Sequence, residues 1–186
     1  MKPQSMEDLE NLNIEFKNYL AGISGKFTED LIHLLKGESI NYLNGNTQAH
    51  IKAFYFEYEF DYLNIVFWGV DHKGEIATEI MFLPTKKNNK DNGNEKWSGL
   101  IPQKIWQKAS DFEDNYEGDD FDEILDEYND EKYRLFEQWF FDVWKGASEQ
   151  TGVKTNAYFS IHDTYFRTDL NTLKTINEDE IALRYE

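Results

Sequence analysis

Apolar side chains recur at helical spacing through Leu9, Leu12, Phe16 and Leu20, which predicts a helix over residues 5–21. Ser5, with Asp8 three positions later, forms a capping-box-like start, and Gly22 and Gly25 predict its end. A second, shorter helix is expected from Thr28. Glu29 and Asp30 suit the positive pole of its first turn, Leu31, Ile32, Leu34 and Leu35 supply its apolar face, and Lys36-Gly37 is its stop. Residues 38–49 are polar and predict a loop.

The period then changes to two. Phe54, Phe56, Tyr58 and Phe60 alternate with Glu57 and Glu59, the pattern of a strand with one buried face. Leu63 to Val70 is apolar at both parities and predicts a strand in the interior of a sheet. Asp71-His72-Lys73-Gly74 reads as a hairpin turn with Gly74 at a positive-φ position. Ile76, Thr78, Ile80 and Phe82 predict a third antiparallel strand, closed by Pro84.

Residues 85–96 contain no apolar side chain and predict a mobile, locally basic loop. Pro102 suits the first turn of a short helix reaching about Ala109. Phe121, Ile124, Leu125, Tyr128, Leu135, Phe136, Trp139, Phe140, Val143 and Trp144 then form a stripe that only Lys132 interrupts. It predicts an amphipathic helix over residues 120–147, roughly 40 Å long, with Asp120 and Glu123 as a capping pair. Asn156 to Phe166 predicts a fourth strand. In the tail, residues 168–186, Asn177 with Glu180 fits a terminal helix, whereas Ile181 to Tyr185 fits a strand. Together these elements predict one α+β domain over residues 1–186. Its antiparallel sheet, a three-stranded meander plus a later strand, is covered on one face by the long helix and the N-terminal helices.

Composition narrows the function classes. In 186 residues there are 36 Asp and Glu against 19 Lys and Arg, a formal charge of −17, with 16 % aromatic residues and no cysteine. Such a charge disfavours nucleic-acid backbones, and the aromatic content opposes disorder. Without cysteine there is no disulfide framework, thiolate nucleophile or Cys-based metal site. No apolar run follows Lys2, as a secretory signal requires, and no segment approaches the ~20 apolar residues of a spanning helix. A cytoplasmic protein that avoids membranes is the expectation.

The chemistry concentrates between residues 111 and 131, where twelve carboxylates stand without one basic residue. They are Asp111, Glu113, Asp114, Glu117, Asp119, Asp120, Asp122, Glu123, Asp126, Glu127, Asp130 and Glu131, interleaved with Tyr116 and Tyr128. Like charges at helical spacing repel, so the cluster does not serve helix stability. It reads either as a solvated face or as a docking surface for a basic protein partner, in which Tyr116, Phe121 or Tyr128 anchors the contact. A calcium loop centred on Gly118 places Glu113, Asn115, Glu117 and Asp119 at ligand positions, but Ile124 stands where the bidentate Glu belongs. No metal or other cofactor is expected.

The histidines His33, His50, His72 and His162 show no metal-site spacing, and Ser160 with His162 shares a strand face without a marked third partner. The leading expectation is a non-catalytic acidic binding module. A bacterial antitoxin or immunity protein that blocks a basic toxin has this physical profile. The alternatives are a hydrolase, carboxylate- or metal-dependent, built from an acidic cluster with His162, and a self-associating structural protein. Monomer and homodimer both remain open.

Overall fold

The computed structural model describes residues 4–38, 41–83, 99–115 and 119–185. Its elements in chain order are α1 (Gln4–Lys36), a short 3₁₀ turn (Gln48–His50), β1 (Ala53–Tyr58), β2 (Ile65–Val70), β3 (Met81–Leu83), α2 (Gln103–Asn115) and α3 (Asp119–Thr151). They are followed by β4 (Asn156–Ile161), β5 (Phe166–Asp169), β6 (Lys174–Asn177) and α4 (Glu178–Ala182). The expected loop at residues 85–96 and the closing Pro84 lie outside the described residues.

The protein is α+β, but the sheet is mixed and has six strands, in the order β3-β2-β1-β4-β5-β6. β1 and β4 pair in parallel, from Ala53 opposite Asn156 to Tyr58 opposite Ile161, whereas every other ladder is antiparallel. The expected all-antiparallel sheet with a single later strand is corrected accordingly. Two meanders run outward from the central pair, each preceded by a 33-residue helix.

α1 is one helix, not two. Gly22 and Gly25 each cost up to about 1 kcal/mol relative to alanine. The stripe Leu9, Leu12, Phe16, Leu20, Phe27, Leu31, Leu34 and Leu35 nevertheless buries continuously, and that packing outweighs them. Thr28, expected as a cap, instead turns its hydroxyl back to the carbonyl of Ser24 inside the helix, at 2.8 Å. α1 and α3 run side by side in the same direction. Asn13 meets Tyr128, Phe16 meets Phe136, and Phe27 meets Trp139 and Phe140.

Both long helices lie on the sheet face that carries Phe54, Phe56, Tyr58, Phe67 and Phe159. Phe140 stacks on Phe159 with centroids 4.2 Å apart, and Trp144 meets Phe56 edge-on at 5.4 Å. The stripe predicted for α3 is therefore the core face, extended four residues beyond the expected end.

Three strand expectations are revised. The segment from Ile76 to Phe82 bridges Val70 once at Ile76 and then leaves the sheet until Met81. Thr78 explains the gap: its hydroxyl takes the Gly69 N–H at 2.8 Å, and Glu79 donates instead to the Tyr42 carbonyl. Ile80 is exposed in that gap, and Ile76 and Phe82 are exposed where they pair with Val70 and Val66. The strand expected to reach Phe166 turns after Ile161, with Asp163 at φ 58°, and returns as β5. The tail forms β6 and then α4, whose N-cap Asn177 accepts from Glu180 N while Glu180 accepts from Asn177 N. Ile181, placed by one reading in a strand, is buried in that helix.

Gly74 has φ 77°, as the hairpin turn requires, and the Asp71 carboxylate accepts from the Lys73 and Glu75 N–H groups across it. α2 runs past Ala109 to Asn115, so it carries the first part of the acidic segment. Among the described residues, no helix is long and apolar enough to cross a membrane.

Candidate functional site

The acidic segment is divided between two helices. Asp111, Glu113 and Asp114 are exposed on the last turns of α2, and Asp122, Glu123, Asp126, Glu127 and Asp130 are exposed on the first half of α3. Tyr116 and Glu117 lie outside the described residues. Asp119 and Asp120 open α3, with their side chains likewise outside. Glu131 is half-buried and receives Arg134 Nε and Nη2, each at 2.6 Å. These bonds hold its carboxyl below the usual range.

Of the expected aromatic anchors, Tyr128 and Phe121 do not face solvent. Tyr128 is only 5 % exposed, and burial pushes its hydroxyl up to about 12. Phe121 is buried as well. At positions where acids and aromatics alternate along a helix, the aromatics took the core side, as the α3 stripe requires.

What the surface offers instead is α1. Ile14 is 57 % exposed and forms the ridge between two grooves. One groove, of about 790 Å³, lies between α1 and α2 and is lined by Asp8, Glu15 and Asp111 against Lys108. The other, of about 480 Å³, lies between α1 and α3 and is lined by Glu10, Glu127 and Glu131 against Lys17. Lys108 and Lys104 approach Glu15 at 3.6 and 3.9 Å, so part of the first groove's charge is already compensated. The parallel packing of α1 and α3 brings their N-terminal halves together, and the acidic residues of both gather at that end. An apolar ridge flanked by carboxylates has the chemistry of a docking surface for a basic, amphipathic segment.

The face of the sheet away from α1 and α3 carries a second polar cluster, of which the sequence alone marks Ser160 and His162 but neither Arg167 nor Glu178. Arg167, only 7 % exposed, reaches Glu57 Oε1 at 2.8 Å and Glu178 Oε1 at 3.1 Å, and donates to Ser160 Oγ at 3.0 Å. Its guanidinium also lies over the Tyr55 ring at 5.1 Å, and its Nε has no hydrogen-bond partner. His162 Nδ1 stands 2.8 Å from Glu57 Oε2, which raises the imidazole's pKa above its ordinary 6.5. Arg184 donates to Asp169 at 3.0 Å and to the Tyr158 hydroxyl at 3.0 Å.

This cluster is chemically occupied. Ser160 is buried and held by a cation, and His162 faces Glu57. Both Glu57 oxygens are engaged, one by Arg167 and one by His162. A nearby cavity of about 370 Å³ is lined by Tyr55, Lys73, Glu178 and Tyr185, without Ser160 or His162. Ser160 and His162 are legible in the sequence as sharing a strand face; Glu57 joins them only once β1 and β4 pair. Among the described residues, no group of three His, Cys, Asp or Glu side chains is placed to hold a metal ion. A scan of protein-family models, a search of curated proteins and a search of solved structures each returned no match to the chain.

Proposed function

We propose that this protein is a non-catalytic cytoplasmic binding module. It engages a basic protein partner through the acidic end of α1, α2 and α3, in the manner of an antitoxin- or immunity-type inhibitor. The observation that supports this reading is the exposed Ile14 ridge with carboxylate-rimmed grooves on both sides. Carboxylates on both rims raise the encounter rate with a cationic surface, and the ridge supplies apolar area for the contact.

The test is low-salt affinity capture from the source lysate with two baits. One is the native protein, and the other carries Asn or Gln at Asp111, Glu113, Asp114, Asp122, Glu123, Asp126, Glu127 and Asp130. The native bait should retain a basic protein that the neutralised bait loses. Their association rate should fall by about tenfold or more as salt rises from about 20 to about 300 mM. A partner held equally by both baits, or a rate insensitive to salt, refutes the proposal.

A further inference from the structure

Within the acidic end, we infer that the groove between α1 and α3 is a receptor for a single arginine side chain of the partner; this rests on the binding reading above. Three features of the groove fit that side chain. Ile14, Ile124 and Leu135 offer apolar surface that an aliphatic stem can cover. Glu10, Glu127 and Glu131 outnumber Lys17, the one cation among the lining residues, so the groove favours a positive head.

The third feature is Asn13. It lines the groove, is only 6 % exposed, and its Nδ2 donates to the Tyr128 carbonyl at 3.1 Å. That bond fixes the amide, yet Asn13 Oδ1 has no hydrogen-bond partner. A buried acceptor without a donor is costly, and a ligand that supplies an N–H removes the cost. Glu131 already holds Arg134 in a two-pronged pair, which leaves Glu127 as the exposed carboxylate on the same helix face one turn earlier. A guanidinium carries five donors in a planar fork and, once the groove side chains part to uncover the buried Asn13 Oδ1, can serve it and a rim carboxylate together. An ammonium is a compact point charge with no such fork.

The experiment is an NMR titration of the isotope-labelled full chain with a hexa-arginine peptide at low salt, repeated with hexa-lysine. The expected result is a shift of the Asn13 side-chain amide and the Ile14 methyl groups that hexa-lysine does not reproduce. Glu127→Gln, an exposed substitution, should weaken hexa-arginine binding about fivefold. Glu149→Gln, far along the same helix, should change it less than about twofold. Shifts confined to Asp111–Glu123, with Asn13 silent, overturn the arginine receptor and leave the acidic-face reading standing. Equal response to hexa-lysine overturns the guanidinium assignment. No shift anywhere overturns both.

Discussion

Lys132 is the one charged residue in the apolar stripe of α3, and replacing it with methionine should stabilise the protein. Its side chain is 7 % exposed, donates to Asn129 at 2.7 Å, and sits over the Tyr133 and Tyr128 rings at 4.6 and 5.5 Å. Burial lowers its pKa from 10.5 to about 8, although Asp61 and Glu113 pull the other way. Holding the proton in the folded state near pH 7 therefore costs about 3 kcal/mol. Between about pH 8 and 10.5 the unfolded chain binds more protons than the folded one, so this contribution makes stability rise with pH. Methionine keeps the unbranched stem and carries no charge. Allowing about 1 kcal/mol for the lost ring contacts and hydrogen bond, Lys132→Met should gain about 2 kcal/mol near pH 7. The gap over the native protein should narrow by about 2 kcal/mol on reaching about pH 9.5. Urea denaturation across that range measures it. The range stops short of the buried tyrosines, such as Tyr128 at about 12, whose raised pKa values weaken the fold once the unfolded phenols ionise. A variant less stable near neutrality, or a gap that does not move with pH, refutes the account.

Gly22→Ala together with Gly25→Ala should stabilise α1 by about 1–2 kcal/mol, because a Cβ at either position meets nothing within 4 Å; a lower melting temperature would restore the break expected from the sequence. Arg167→Met should cost about 3 kcal/mol by chemical denaturation, since it leaves Glu57 facing His162 alone, and an unchanged midpoint would show that the cluster is energetically idle. His162 should titrate above 6.5 by NMR, and Glu57→Gln should bring it back down. Its stabilising contribution is complete below the ordinary value and disappears as pH climbs through the raised one, so a titration indifferent to Glu57 refutes the pairing.

The sequence is most readable where one face of an element is buried along its whole length. The α3 stripe and the Phe54-Phe56-Tyr58-Phe60 alternation each announce their period. The structure buries most of the stripe, leaving Ile124, Leu125 and Leu135 half-buried. The alternation is buried up to Tyr58, whereas Phe60 lies beyond β1 and is exposed. It is least readable where tertiary contacts overrule local preference. Gly22 and Gly25 are helix breakers by propensity, but Phe16, Leu20 and Phe27 on either side pack against α3 and carry the helix through. The apolar alternation at Ile76, Ile80 and Phe82 looked like a buried face, yet all three side chains are exposed, and Thr78 diverts the chain between them with one side-chain hydrogen bond. The ion pairs around Arg167 needed the pairing of Glu57 with Ser160, which joins strands about 100 residues apart and leaves no local mark. At the acidic end, the carboxylates could be counted in the sequence. Which aromatics turned inward, and that Ile14 rather than Tyr128 meets solvent, depended on how α1 lies between α2 and α3.

The parallel seam between β1 and β4 also governs how the chain assembles. Every other ladder links strands that follow one another in sequence, so both flanking meanders can begin as local hairpins on the microsecond scale. The seam must draw together points separated by about 100 residues, at an entropic penalty of about 4 kcal/mol. Its compensation comes from Phe56, Phe140, Trp144 and Phe159, which meet only once α3 has docked across both strands. This order predicts refolding paced by the joining of two half-sheets, with substitutions in the aromatic knot above that junction slowing it.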